Sequence, residues 1–143
     1  MTIFEPDPRL AADTAGLGSL GLCRVLLMDD ARYPWLILVP QKPGLVEIGD
    51  LDRADRIRLA DETDLAAGAL SRLYRPEKIN IGALGNIVRQ LHVHIVARFD
   101  GDPAWPGPVW GHSAALPYAP ADLATRTGEL RAALDIPPDT ALA

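Results

Sequence analysis

Asn86-Ile87-Val88-Arg89-Gln90-Leu91-His92-Val93-His94-Ile95-Val96-Ala97-Arg98 alternates strictly between two sets of side chains. In a β-strand successive side chains point to opposite faces. Leu91, Val93, Ile95, Ala97 and Phe99 then share one face, and Gln90, His92, His94, Val96 and Arg98 share the other. A period of two over this length, with β-branched residues, predicts a strand with one face in a core. The opposite face carries Gln90, His92 and His94 in a row, roughly 7 Å between alternate positions. Two of the chain's three histidines stand here.

The 143 residues suit one domain, large enough to bury a core. Hydrophobic residues are 48% and charged residues 23%, the balance of a soluble globular protein. A net charge of -5 argues against a protein that holds a nucleic-acid duplex by its backbone, which needs a basic footprint. A small phosphorylated ligand needs only a few local donors. The single Cys23 excludes an intramolecular disulfide and a cysteine-rich zinc site, and fits a reducing compartment. No apolar run approaches ~18 residues, so no membrane span is expected. The first residues lack the basic and apolar regions of a signal peptide, which makes cytoplasmic the expected location.

Pro8 can start a short helix through Arg9-Leu-Ala-Ala. Gly16-Leu-Gly18-Ser-Leu-Gly21 spells the dinucleotide-binding pattern, but that pattern should follow a strand and open a helix. Neither is predicted, and a flexible lead-in loop is the expectation. Leu22–Met28 and Trp35–Val39 are strands of an antiparallel hairpin across the turn Asp29–Arg32. Asp50 can cap a helix from about Leu51 to Tyr74 that buries the stripe Ile57, Leu65, Ala69 and Leu73. Its other side, with Arg53, Asp55, Arg58, Asp61, Glu62 and Asp64, reads as a solvated face. Lys78–Ala83 alternates as a further strand, and Gly82 and Gly85 turn the chain into the histidine strand. A loop rich in proline and tryptophan spans 100–111. A final helix from Pro120 repeats Leu123, Thr127, Leu130 and Leu134, and Pro137-Pro138 and a short tail finish the chain. This order predicts an α+β domain: an antiparallel sheet with helices against one face. The histidine face is left free for a ligand.

An H-x-H on a strand has three readings. The histidines are surface residues with local partners; or they begin a zinc site, for which only His112 is at hand; or one is a neutral nucleophile whose neighbours donate to an anion.

Gln90-Leu91-His92-Val93-His94-Ile95-Val96 resembles the signature of the histidine triad (HIT) superfamily, in which single hydrophobic residues separate three histidines. Leu36–Val39 ending in Pro40 and followed by Lys42, the capped helix, the strand with Asn80 and the glycine turn come in that family's order. The likeness covers about residues 20–100, while 101–143 looks like one branch of the family. It implies a two-layer α+β subunit with about five strands that forms homodimers and binds a nucleotide over the signature strand. Family members hydrolyse or transfer nucleoside monophosphates from dinucleoside polyphosphates, nucleotide sugars or nucleoside phosphoramidates. Carried over residue by residue, His92 matches the nucleophile and His94 the histidine that binds phosphate oxygens. Asn80 matches an asparagine near the phosphates, and Asp29 is similar in place to the residue that holds the ribose hydroxyls. The backbone amides of Gly85 and Asn86 can add donors as a nest does. The scheme requires no metal or other cofactor.

Two positions depart from the pattern. Gln90 stands where the first histidine belongs, and an amide donates a hydrogen bond but shuttles no proton. Ile87 stands where many relatives place a small hydroxyl residue. Turnover of poor leaving groups should suffer, and a nucleotide-binding dimer without turnover is the alternative. His112 is either an idle loop residue or the acid that Gln90 cannot be. Trp105 and Trp110 read as packing or dimer residues, or else as a base-stacking platform.

Overall fold

In the computed structural model, which describes residues 4–137, the chain runs α1 (Pro8–Ala12), β1 (Thr14–Ser19), β2 (Cys23–Met28), β3 (Trp35–Pro40), a 3-10 turn at Ile48–Asp50, α2 (Arg53–Tyr74), β4 (Lys78–Gly82), β5 (Val93–Arg98) and α3 (Pro120–Ala133). The five strands form one antiparallel sheet in the order β1-β2-β3-β5-β4, the expected α+β architecture. The sequence reading of Pro138 and the tail lies outside the described residues.

The alternation of β5 divides the molecule in two. Leu91, Val93, Ile95 and Ala97 join Val25, Leu27, Leu36 and Leu38 of the neighbouring strands under α2 and α3. The other face was expected to be open, but it is covered. There Val96 joins Leu26, Trp35, Ile37 and Val39 beneath Leu10 of α1 and Ala104 and Val109 of the tryptophan loop. Asp102 organises that loop: its carboxylate accepts from the backbone of Phe99 and Trp105 and takes both Nε and NH2 of buried Arg98 at 2.9 Å.

Three local expectations need correction. The glycine-rich stretch is β1, not a loop. Its register slips between Gly16 and Gly18, and Gly18 takes φ 126°, a conformation suited to glycine. The bulge turns Leu17 into the core and leaves the Gly16 and Leu17 carbonyls to accept from Arg131 of α3. No helix follows it, so the dinucleotide reading stays rejected.

The cap of α2 is Asp52, which accepts from the Asp55 amide at 2.8 Å. Asp50 instead closes the preceding turn by accepting from Val46 and Glu47.

The buried side of α2 is Asp55, Leu59, Glu62, Ala66, Ala69 and Leu70, whereas Ile57 and Leu65 are 51% and 55% exposed. The helix is turned this way because two carboxylates find partners inside. Asp55 pairs with Lys42. Glu62 accepts from the Leu22 and Cys23 amides at 2.7 and 2.8 Å, bonding α2 to the start of β2. Burial and the neighbouring Glu62 charge push the Cys23 thiol well above its ordinary range, so it is an inert core residue.

Glu62→Ala strands both buried amides. It should cost about 1–3 kcal/mol in urea unfolding, while Arg58→Ala on the exposed side should stay within about 0.5 kcal/mol.

Candidate functional site

The strand pairing of the histidine stretch begins only at Val93, later than its alternation predicts. That difference shapes the site. With Gln90 outside the ladder, its carbonyl is free to face the His92 ring, and Nδ1 lies 2.7 Å from it. A carbonyl only accepts, so Nδ1 carries the proton and the neutral ring keeps its lone pair on Nε2.

His94 is fixed in the opposite sense. The β3–β5 register sets Trp35 opposite Val96 and Ile37 opposite His94, on one face of the sheet. Trp35 Nε1, which can only donate, donates to His94 Nδ1 at 3.0 Å. The His94 proton is therefore on Nε2. Burial, with the nearby His92 charge, pushes its pKa down to about 3, so His94 is a neutral hydrogen-bond donor at physiological pH. The two imidazoles meet edge to face with centroids 4.9 Å apart, one offering an electron pair and the other an N–H.

Both open onto a cavity of about 500 Å³, within the size range of small-ligand sites. α1 supplies Arg9 and Leu10, β2 supplies Met28, the glycine turn supplies Leu84 to Val88, and the tryptophan loop supplies Val109 and Trp110. Trp110 packs against His94 at 5.6 Å between ring centroids. It can do so because Gly82, paired with His94 across the β4–β5 ladder, has no side chain: a Cβ there would stand 3.1 Å from the indole. A smaller cavity of about 220 Å³ lies beyond Leu84 and Gly85 and also reaches His92, with Arg89, Gln90 and Glu47 in its walls.

The structure gathers His92, His94, Gly85 and Asn86 around the larger cavity. Gly85 takes φ 73°, which favours glycine at this turn. The other expected site residues are engaged elsewhere. Asp29 accepts from the Tyr118 amide at 2.9 Å, and its neighbour Asp30 lines the cavity instead. The Asp30 carboxylate is held in turn by Arg32 Nε and NH2, each at 2.9 Å. Asn80 Oδ1 accepts from buried Arg98 at 2.8 Å and is no part of the cavity wall. The Gln90 amide bonds the N-terminal segment, with Oε1 accepting from Asp7 N at 2.6 Å and Nε2 donating to the Glu5 carbonyl at 3.2 Å.

His112 is exposed, bonds Ser113, and stands outside the cavity wall. Among the described residues no three His, Cys, Asp or Glu side chains gather as a metal set. Trp35, Arg9 and Asp30 were missed from sequence. Parity within β3 puts Trp35 on the face of Ile37 and Val39, but only the β3–β5 register brings it to His94.

A family model described as the HIT domain matches residues 10–101. Among solved structures, a histidine triad protein from Sinorhizobium meliloti is 50% identical, with a TM-score of 0.88 over 90% of this chain and 96% of its own. One from Bradyrhizobium japonicum is 43% identical, with a TM-score of 0.90 over 93% of this chain and 99% of its own. A third, from Marinobacter aquaeolei, is 42% identical, with a TM-score of 0.90 over 99% and 100%. No curated protein matches the chain.

Two outcomes follow from the His94 geometry. Its ¹⁵N resonances should keep the neutral Nε2–H pattern down to pH 5, and protonation near pH 6–7 would refute the Trp35 bond. A histidine neutral in the fold and protonated when unfolded binds more protons unfolded. Stability should therefore fall as pH drops from about 6.5 toward 3, by up to about 1.4 kcal/mol per pH unit in urea titrations.

Proposed function

The chain belongs to the HIT family, and on that premise we propose that it is a nucleotide hydrolase or transferase that cleaves a nucleotide conjugate at the α-phosphate through a nucleotidyl-His92 intermediate. The observation that carries this reading is the 2.7 Å approach of His92 Nδ1 to the Gln90 carbonyl, which leaves Nε2 as the lone-pair nitrogen beside a half-open cleft.

Substitution at phosphorus needs a nucleophile in line with the leaving group and donors around the other oxygens. His92 Nε2 attacks the α-phosphorus. As the ring gains positive charge, the Gln90 carbonyl stabilises it through the Nδ1–H bond, and no proton has to move. His94 Nε2–H donates to a non-bridging oxygen, and the amides of Gly85 and Asn86 are placed to do the same. Water then attacks the phosphorus and expels neutral His92. The apolar walls suit a nucleoside, and the scheme calls on no metal or other cofactor.

Two features support a homodimer. β4 is an edge strand with Ile81 exposed, and Ile57 and Leu65 are exposed on α2, which packs over β5 beside that edge. Among the described residues no helix is long and apolar enough to cross a membrane. A cytoplasmic homodimer acting on a small nucleotide, rather than on a nucleic-acid duplex, is the reading we favour.

The engagement of Gln90 with the N-terminal segment favours one rival, a nucleotide-binding dimer without turnover. Kinetics and calorimetry on one protein separate the two. His92→Ala should retain nucleotide affinity and lose turnover by several orders of magnitude, and His94→Ala should lower kcat by ~10²–10³-fold. Binding by native protein with no turnover of any nucleotide conjugate would establish the silent binder. In sedimentation the native chain should run as a dimer and Leu65→Glu as a monomer.

A further inference from the structure

Among the described residues the acids and imidazoles in the wall of the larger cavity are Asp13, Asp30, His92 and His94, and Asp13 is exposed to solvent. His92 is the nucleophile in the reading above, on which this inference rests. His94 offers only the N–H of a neutral ring whose other nitrogen is occupied by Trp35. His112 lies outside the wall, and the Gln90 amide is bonded to backbone. Asp30 is held below the ordinary carboxylate range: burial alone would raise it, but the guanidinium and amide of Arg32 outweigh that.

What Gln90 does instead is hold the N-terminal segment. Its two bonds fix Glu5 and Asp7. Asp7 in turn caps α1, its carboxylate accepting from the Arg9 amide at 2.8 Å. Arg9 is the one cationic side chain in the described wall of the larger cavity. It is 61% exposed and, among the described residues, has a single loose ion pair, to Asp7 at 3.4 Å. Its guanidinium is therefore free to turn onto an anion, which it can pair but never protonate.

We propose that Gln90 is a positioning residue that clasps α1 to the cleft and presents Arg9 to the leaving group, so that the site selects phosphoanhydrides over phosphoramidates. In the first step the His92 Nε2 electron pair forms the N–P bond. The bond from the α-phosphorus to the bridging oxygen breaks, and its electron pair leaves with a phosphate or nucleotide oxyanion that Arg9 pairs. In the second step a water oxygen bonds to phosphorus, the N–P pair returns to Nε2, and the water proton passes to solvent. An amine would have to leave as an amide anion or take a proton from solvent or from exposed Asp13, whereas the anhydride's leaving group departs as a stable oxyanion.

The test uses the full chain and three conjugates of one nucleoside 5′-phosphate: a dinucleoside polyphosphate, a nitrophenyl ester and an alkyl phosphoramidate. Native kcat/KM for the anhydride should exceed that for the amidate by ~10²–10⁴-fold, the usual contribution of a general acid. Arg9→Ala should lower the anhydride value at least ~10-fold more than the nitrophenyl value, and Arg9→Lys should restore part of the difference. Gln90→Ala, checked for folding by its melting curve, should match Arg9→Ala, and the double variant should add nothing further. Equal rates on anhydride and amidate, or losses that multiply in the double variant, would overturn the proposal while leaving the nucleotidyl-His92 reading standing. Turnover of none of the three by native protein would end both.

Discussion

The hydrogen bond from His92 Nδ1 to the Gln90 carbonyl fixes the first of the two imidazoles that face the cavity. It exists because the chain enters the sheet at Val93 and not earlier. Had pairing run back through Gln90, its carbonyl would belong to the ladder and the His92 ring would have no fixed tautomer. One short bond thus chooses which nitrogen keeps its lone pair, orients the ring and, in the mechanism proposed above, prepares a sink for the charge that attack would create. The Trp35 bond to His94 is its complement: an indole that can only donate turns the second imidazole into a donor at the cavity.

Holding two imidazoles this way requires both faces of the sheet to be covered. The core beneath α2 and α3 fixes the strands through Leu36, Leu38, Val93 and Ile95. The second core, under α1 and the tryptophan loop, does for the histidines what solvent cannot. It desolvates His94, brings Trp110 against Gly82 and closes the cavity on the N-terminal side. Arg98 and Asp102 organise the loop side of this cover, while Gln90, through Asp7 and Glu5, secures the α1 side. The N-terminal segment is consequently part of the site.

Much of this was legible in the sequence because alternation is a local code. The parity of Leu91, Val93, Ile95 and Ala97 against His92 and His94 placed the core and the histidines on opposite faces, and the structure keeps that division. What escaped were features decided by pairing at a distance. Asp55 and Glu62 read as a solvated face because nothing nearby in sequence announces Lys42 or the amides of Leu22 and Cys23 as partners. Asp29 and Asn80 were placed at the ligand by family likeness, yet here their oxygens serve the Tyr118 amide and Arg98. β1 was hidden by glycines whose role is a bulge. Trp35 was hidden because its partner lies 59 residues away.

A nucleotide bonded to His92 is the direct mark of the proposed nucleophile. Native protein mixed with a diadenosine polyphosphate, quenched within its first turnovers and digested for mass spectrometry, should carry an adenylyl group on the peptide with His92. The bond should be labile to acid and stable to base, as a phosphorus–nitrogen bond is, and His92→Ala should show none. Product released with no adduct at any time, or an adduct on a different side chain, would contradict the assignment of His92 as nucleophile.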